Sequence, residues 1–325
     1  MQTNETEPSQ VRCTEETAQG RAILVLENGE SRLAFDPAQG GRWTTWDLAL
    51  EGGPVHHVMS APGTVISAGP ARLAAVGQTP EVMASLGPAT PSGLGDHFLP
   101  LTVRQRDFAL GTARELGTFL AQPFEATHYA PARDQQTVAL RSAGGIQGAK
   151  RVTPVTLLKR LTLGRPGGEI SIHYRLDNPN EKALQIFFGV EFCFALSPEA
   201  VAAGADHPAY EFDGARERGG YGVRGIAADT TSVALIDPQP GLTIRLGWER
   251  PAAVWICPSP AGAEGPAIKG ASVMPVWDLR VPPDDNWAVN IWLQPGATGP
   301  VAPIPADVVA RIARFESEDT PWKQP

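Results

Sequence analysis

Helices have little room in this chain. Thirty-four glycines and 31 prolines are scattered through its 325 residues, and few stretches of helical length escape them. In a helix interior glycine costs about 1 kcal/mol and proline about 3 kcal/mol relative to alanine. Between the breakers lie short apolar runs bounded by Gly, Pro, Asn and Asp, the pattern of many strands joined by turns. The clearest is 169–178, where Ile170, Ile172, Tyr174 and Leu176 fall on one face and Ser171, His173 and Arg175 on the other, an alternation with period two. The next run, 185–196, puts Ile186, Phe188, Val190, Phe192, Phe194 and Leu196 on one side and Gln185, Phe187, Gly189, Glu191, Cys193 and Ala195 on the other. The turn residues Asp177-Asn178-Pro179-Asn180 between them predict that the two runs pair antiparallel.

Further strands are predicted at 21–26, 32–35, 42–48, 137–141, 156–163, 231–236, 242–248, 253–257, 273–281 and 287–293. Helical signals are confined to 81–86 and to 306–315, where Val308, Ile312 and Phe315 share a face and Asp307 suits a helix start. Residues 1–20 hold almost nothing apolar and are predicted to be disordered. The expected organisation is a β-domain over 21–300, a disordered tail before it, and a C-terminal tail at 301–325 with a short helix. The fold class is therefore all-β: a large, mostly antiparallel sandwich with few short helices.

Apolar residues make up 42% of the chain, enough for a sizeable core, and 35 acidic against 27 basic residues leave a net charge of −8. That balance argues against nucleic acid, whose phosphates call for a basic stripe, and is compatible with neutral ligands such as sugars. Cys13, Cys193 and Cys257 show no metal-knuckle spacing. The last two sit in apolar runs where cysteine packs as a small hydrophobe, and a bridge between them is the less favoured alternative. No cofactor or metal is implied. The N-terminus has neither a basic nor an apolar signal region, and no apolar run nears the ~20 residues of a membrane helix. A cytoplasmic protein without membrane insertion is expected.

Several short segments carry a family resemblance. Leu26-Glu27-Asn28-Gly29, Phe35-Asp36-Pro37 and Gly40-Gly41-Arg42 are followed by Asp96-His97-Phe98-Leu99, by Leu158-Lys159-Arg160, by Val190-Glu191-Phe192 and by Pro275-Val276-Trp277-Asp278-Leu279. In order and spacing they resemble the C-terminal β-domain of the glycoside hydrolase family 57 4-α-glucanotransferases and amylases, from about Ile23 to Leu293. The resemblance implies a galactose mutarotase-like supersandwich. It also implies that the family's catalytic carboxylates lie in a (β/α) barrel with no counterpart in these segments, so no catalytic residue is carried over. The family's arginine-rich stretch ending in Tyr-His is reduced here to 54–77 with His56-His57. A polar glutamate-rich segment is replaced at 258–264, and Cys193 stands where asparagine is frequent.

Aldose mutarotases share the supersandwich shape, and mutarotation needs an acid and a base, typically histidine and glutamate. Where that wider group often carries the histidine, this chain has Glu191. Glu191 reads either as a ligand-facing carboxylate or as the partner of Lys159 or Arg175 across strands. Asp96 and His97 are adjacent in a strand and must point to opposite faces, which leaves His97 open as a structural hydrogen-bonding residue or as a site residue. His173 belongs to the polar face of its strand, and His56, His57, His128 and His207 lie in loop-like contexts without metal spacing. The glycine-rich segment 218–225 lacks the Lys-Ser or Lys-Thr of a phosphate loop. Among eight tryptophans, Trp287 aligns with core residues. Trp292 shares the alternate face with Ala288 and Asn290 and is a candidate stacking platform for a sugar.

The candidate ligand residues are thus Glu191, Lys159, Asp96, His97 and Trp292. The first expected function is a non-catalytic carbohydrate-associated domain that binds an α-glucan or oligosaccharide, or docks to a glucan-processing enzyme. The alternatives are a mutarotase- or epimerase-like isomerase, and a structural or assembly protein.

Overall fold

The computed structural model describes residues 11–18, 20–49, 55–57, 93–109, 112–129, 134–148, 151–164, 168–195, 210–213, 215–216, 225–237, 241–260 and 268–297. They form seventeen strands and one short helix. A first, five-stranded sheet runs in sequence order through β1 (Arg12–Ala18), β2 (Arg21–Glu27), β3 (Ser31–Asp36), β4 (Arg42–Ala49) and β5 (Val55–His57). The rest, β6 (Gly95–Leu99), α1 (Gln105–Ala109), β7 (Glu125–His128), β8 (Gln135–Gln147), β9 (Val152–Gly164), β10 (Ile170–Asn178), β11 (Leu184–Ala195), β12 (Tyr210–Phe212), β13 (Ala215–Arg216), β14 (Gly225–Asp237), β15 (Leu242–Pro260), β16 (Ile268–Val281) and β17 (Asp285–Ala297), belong to a twelve-stranded antiparallel sheet and its covering helix. The helices expected at 81–86 and 306–315, His207 and the 218–224 loop lie outside the described residues.

The large sheet folds over itself through β14 and β15. The first part of β15 pairs with β17, which continues into β10, β9, β8 and β7, while its second part pairs with β16, which continues into β11 and β6. The sequence divides this 19-residue strand in two because Pro251 interrupts it. Proline has no N–H for a ladder and is tolerated at bulges. The β14–β15 register shifts in this region, between Ala227 and Ser232. The indoles of Trp248 and Trp277 fasten the irregular stretch by donating to the carbonyls of Thr230 at 2.7 Å and Arg250 at 2.9 Å.

Pairing of β10 with β11 does not occur: β10 pairs with β9 and β17, and β11 with β6 and β16. The two strands face each other across the sandwich, with the rings of Tyr174 and Phe188 5.7 Å apart. The turn residues serve a crossover between layers. The Asn178 side-chain amide donates to the carbonyls of Lys182, Val281 and Pro282 at 3.0, 3.1 and 2.8 Å, tying the crossover to the β16–β17 turn.

One continuous core fills the sandwich, and Phe35, Trp43 and Trp46 of the small sheet join it. Trp43 meets Phe192 edge-on at 6.2 Å. Burial of such side chains, at about 25 cal/mol per Å² of apolar surface, is the main force holding the two sheets together. Trp287 is only partly buried, against Phe188 and Trp277. The tail expected to be disordered contains β1. Its backbone pairs along the whole of β2, Arg12 pairs with Glu27, and Arg32 reaches Glu16 at 2.7 Å. A polar edge strand needs no apolar pattern when its neighbour supplies the ladder and the counter-charges. His56, His57 and His128 lie in strands β5 and β7 rather than in loops. Cys193 and Cys257 are buried and not bridged by a disulfide, each opposite Ser272 from either side of β16. That separation is about 10 Å, beyond the ~7 Å between Cα atoms that a disulfide tolerates. Among the described residues no helix is long and apolar enough to cross a membrane.

Candidate functional site

β6 carries the site. All five of its residues are buried, yet they alternate between two environments, as period two demands. Leu94, just before it, has a φ of 60°, a left-handed conformation that costs a non-glycine residue on the order of 1–3 kcal/mol. Lys159 closes on the Leu94 carbonyl at 3.4 Å.

Asp96 points into the sandwich. Its Oδ2 pairs with Lys159 Nζ at 2.5 Å, both side chains being 0% exposed, and its Oδ1 accepts from the Tyr174 hydroxyl at 2.9 Å. Lys159 also donates to the Gly40 carbonyl at 2.7 Å and lies 4.6 Å from the centre of the Phe124 ring. Burial pushes the Asp96 carboxyl up and the Lys159 ammonium down, and the charge of each partner opposes that push. The same burial, with Asp96 adding to it, raises the Tyr174 hydroxyl. This network joins β6, β9 and β10 to the Gly40-Gly41 turn of the small sheet. Both charged side chains are sealed from solvent, enclosed between the two sheets.

His97 points the other way. Its Nδ1 meets Glu115 Oε2 at 3.0 Å and its Nε2 meets Glu191 Oε2 at 3.2 Å, while Ser272 donates to Glu191 Oε1 at 2.6 Å. Glu115 is itself held by the backbone amides of Phe98 at 2.7 Å and Gly117 at 2.9 Å. Glu191 therefore pairs with neither Lys159 nor Arg175. Lys159 belongs to Asp96, and Arg175 lies on β10 with Asp177 2.7 Å away. His97 and Glu191 keep 8% and 9% of their surface exposed. Burial pulls the His97 imidazole down, but the hydrogen bonds and charges of Glu115 and Glu191 prevail and push it up to about 9. At neutral pH it is a cation clamped between two carboxylates. Arg42 lies near enough for Glu191 to support its charge; burial lowers that guanidinium, and Asp36 is the foremost group opposing the loss.

An apolar patch borders the cluster. Leu99, Phe108, Trp255, Cys257, Met274 and Val276 form a second small core on the outer face of β6, β11, β16 and β15, under α1. Phe108 meets the His97 ring edge-on at 5.1 Å, and Gln105 donates to the Ile256 carbonyl at 3.0 Å. The cluster thus joins fixed charges, a hydroxyl and aromatic edges at the margin of a covered patch. Glu115 escapes the sequence reading because it lies in an irregular segment with no periodicity. Ser272 stands one residue before the predicted strand 273–281, and extending that alternation would have placed it on the face of Cys193. Among the described residues no group of three or more His, Cys, Asp and Glu is arranged to hold a metal ion. Trp292, the fifth candidate, is partly exposed on the outer face of the other layer, opposite Gly247 and Ser171, apart from the cluster.

The model of the alpha-amylase/4-alpha-glucanotransferase C-terminal family matches residues 90–291, more than half of the chain and all of the cluster except Arg42. The chain belongs to this family. Its fold is similar to that of the 4-alpha-glucanotransferase from Thermococcus litoralis, with a TM-score of 0.59 and 17% identity over 88% of this chain and 39% of that one. The chain thus spans about two fifths of that enzyme's length. A galactose mutarotase-like protein from Clostridium acetobutylicum aligns with a TM-score of 0.58 and 9% identity, over 89% of this chain and 99% of that one. A putative aldose 1-epimerase from Escherichia coli K12 aligns at 0.56 and 13%, over 85% and 99%. These likenesses establish the galactose mutarotase-like sandwich. No curated protein sequence matches the chain.

Proposed function

We propose that the chain is a carbohydrate-associated β-domain that takes a sugar of an α-glucan at the His97–Glu191 cluster and contributes binding rather than glycosidic bond cleavage. The observation that carries this reading is the outward polar network of β6: a histidinium between two carboxylates, with a serine hydroxyl, in which His97 and Glu191 keep 8% and 9% of their surface exposed beside aromatic rings. Desolvating such groups is costly, and a network that served only to stabilise would gain by closing completely, as the Asp96–Lys159 pair does. Sugar hydroxyls both donate and accept, which suits a site that offers carboxylate oxygens and a fixed cation together. Membership of a family named for glucan-processing enzymes supports the ligand class.

The test is titration with maltoheptaose, glycogen and simple hexoses, comparing wild type with Glu191→Gln. Saturable binding that the substitution weakens at unchanged melting temperature supports the reading. Absence of binding, together with a marked loss of thermal stability in the variant, makes Glu191 structural and favours docking to a glucan-processing enzyme or another assembly role. The adjacency of a histidine and a glutamate favours one second reading, an aldose mutarotase or epimerase in which cationic His97 protonates the ring oxygen and Glu191 accepts the anomeric proton. Polarimetry of freshly dissolved α-D-glucose tests it: a rate no faster than buffer removes the isomerase.

A further inference from the structure

The outer face of the other layer carries a row of aligned residues. Across β8, β9, β10, β17, β15 and β14 the register sets Thr137, Thr162, Ser171, Trp292, Gly247 and Ser232 side by side. Every member is small or hydroxylated except Trp292. A Cβ on Gly247 would stand 2.2, 2.4 and 2.7 Å from the indole Nε1, Cε2 and Cζ2. Three contiguous ring atoms between 2.2 and 2.7 Å from one point mean that the indole lies across the glycine rather than standing off it. One face of the ring rests on the sheet, and Trp292 remains partly exposed.

The adjoining row is a set polar relay. His173 Nδ1 meets Asn290 Oδ1 at 2.9 Å, and the Asn290 amide donates to Glu249 Oε2 at 2.9 Å. Arg160 stacks on the Tyr129 ring at 5.6 Å. Further along β15, on the same face, Thr243 is 5% exposed. Its Oγ1, the Trp292 Nε1 and the Arg160 Nε are buried with no hydrogen-bond partner among the described residues. Orphaned buried donors each cost on the order of 1–3 kcal/mol, and three of them on one face call for a ligand or for ordered water. Glu249 to Thr243 spans about 20 Å of strand. The charges nearly balance, Arg160, Arg175 and Arg245 against Asp177 and Glu249, which suits a neutral ligand better than a polyanion.

We infer that this face is a second carbohydrate-binding surface, with one hexopyranose ring stacked on Trp292 and neighbouring hydroxyls of an oligosaccharide bonded to the flanking polar row. The sugar's C–H face takes the apolar ring, and its hydroxyls meet the polar groups beside it. The inference rests on the proposed function for the ligand class alone; its location and residues are independent of the His97–Glu191 cluster.

Calorimetric titration of the full chain with maltoheptaose tests it, using Trp292→Ala, Trp292→Phe, Thr243→Val and Glu191→Gln. Trp292→Ala is expected to weaken binding at least tenfold, Trp292→Phe less, and Thr243→Val severalfold, with the melting temperature of the valine variant near wild type. Loss in Trp292→Ala with Glu191→Gln unaffected supports this surface and removes the cluster as the glucan site. Loss in Glu191→Gln with both Trp292 variants at wild-type affinity overturns this surface and leaves the cluster standing. Should Trp292→Ala fail to fold, unchanged affinity in Trp292→Phe and Thr243→Val together overturns it. No binding by wild type overturns both.

Discussion

Replacing Lys159 by methionine keeps the length of the side chain and removes its charge. Asp96 is then left fully buried with only the Tyr174 hydroxyl, and the Gly40 carbonyl loses a donor at 2.7 Å. Breaking a buried ion pair from one side costs about 3–5 kcal/mol. At roughly 2–4 °C per kcal/mol for chains somewhat shorter than this one, the melting temperature should fall by roughly 6–20 °C. Asp96→Asn should cost a comparable amount, since it strands the ammonium. The double variant Asp96→Asn/Lys159→Met buries no formal charge at the pair, and its amide oxygen still accepts from Tyr174. It should therefore be less destabilised than the sum of the singles by about 2 kcal/mol, within the range of coupling seen for contacting residues. Calorimetry and urea denaturation at pH 7 measure all four corners of the cycle. Single variants within about 1 kcal/mol of wild type, or an additive double, would refute the reasoning and mean that water or relaxation solvates the pair.

With the His97 imidazole raised from 6.5 to about 9, the folded state binds more protons than the unfolded state between those values. That stabilisation is fully present below pH 6.5 and is lost as pH rises through about 9. The shift corresponds to roughly 3 kcal/mol, so melting temperature should decline from pH 6.5 to 9.5 in wild type and flatten in His97→Gln. Glu115→Ala removes the acceptor of the Phe98 and Gly117 amides at 2.7 and 2.9 Å; it should cost about 2–4 kcal/mol in urea denaturation and shrink the same pH dependence. Gly40→Ala, at φ +71° with its Cβ 2.6 Å from the Leu120 carbonyl oxygen, should destabilise far more than Gly20→Ala, at φ +76° with nothing within 4 Å; equal losses of about 1 kcal/mol would show that the Gly40 turn yields freely.

Period two made the strands legible, because a half-buried strand must place its apolar residues on alternate positions. Which strands pair was not legible: the Asp177–Asn180 turn residues fit a hairpin and a crossover equally, and Asn178 chooses the crossover through carbonyls more than a hundred residues away. The same distinction divides the site. That Asp96 and His97 face opposite ways follows from adjacency in a strand. That Lys159 answers Asp96 depends on how the two layers stack, and that Glu191 answers His97 depends on β6 pairing with β11. Glu115 comes from an irregular stretch, where no repeating geometry announces which way a side chain will turn. Trp292 was legible as a face and not as a surface, since the flat seat under it is made by Gly247 on another strand.

The two networks of β6 differ in what a substitution can reveal. Asp96 and Lys159 are enclosed by both sheets and the Gly40 turn, so altering either perturbs the assembly of the layers before it perturbs any outer face. His97, Glu115, Glu191 and Ser272 sit on one layer, at its outer margin, and Ser272 and Glu191 can change by a single atom without opening the core. A binding loss in an Asp96 or Lys159 variant therefore reports unfolding unless melting is unchanged, whereas Glu191→Gln at constant melting temperature isolates the charge that faces outward. Trp292 offers the complementary control: it touches neither network, so a glucan that needs it and not Glu191 must lie on the opposite layer.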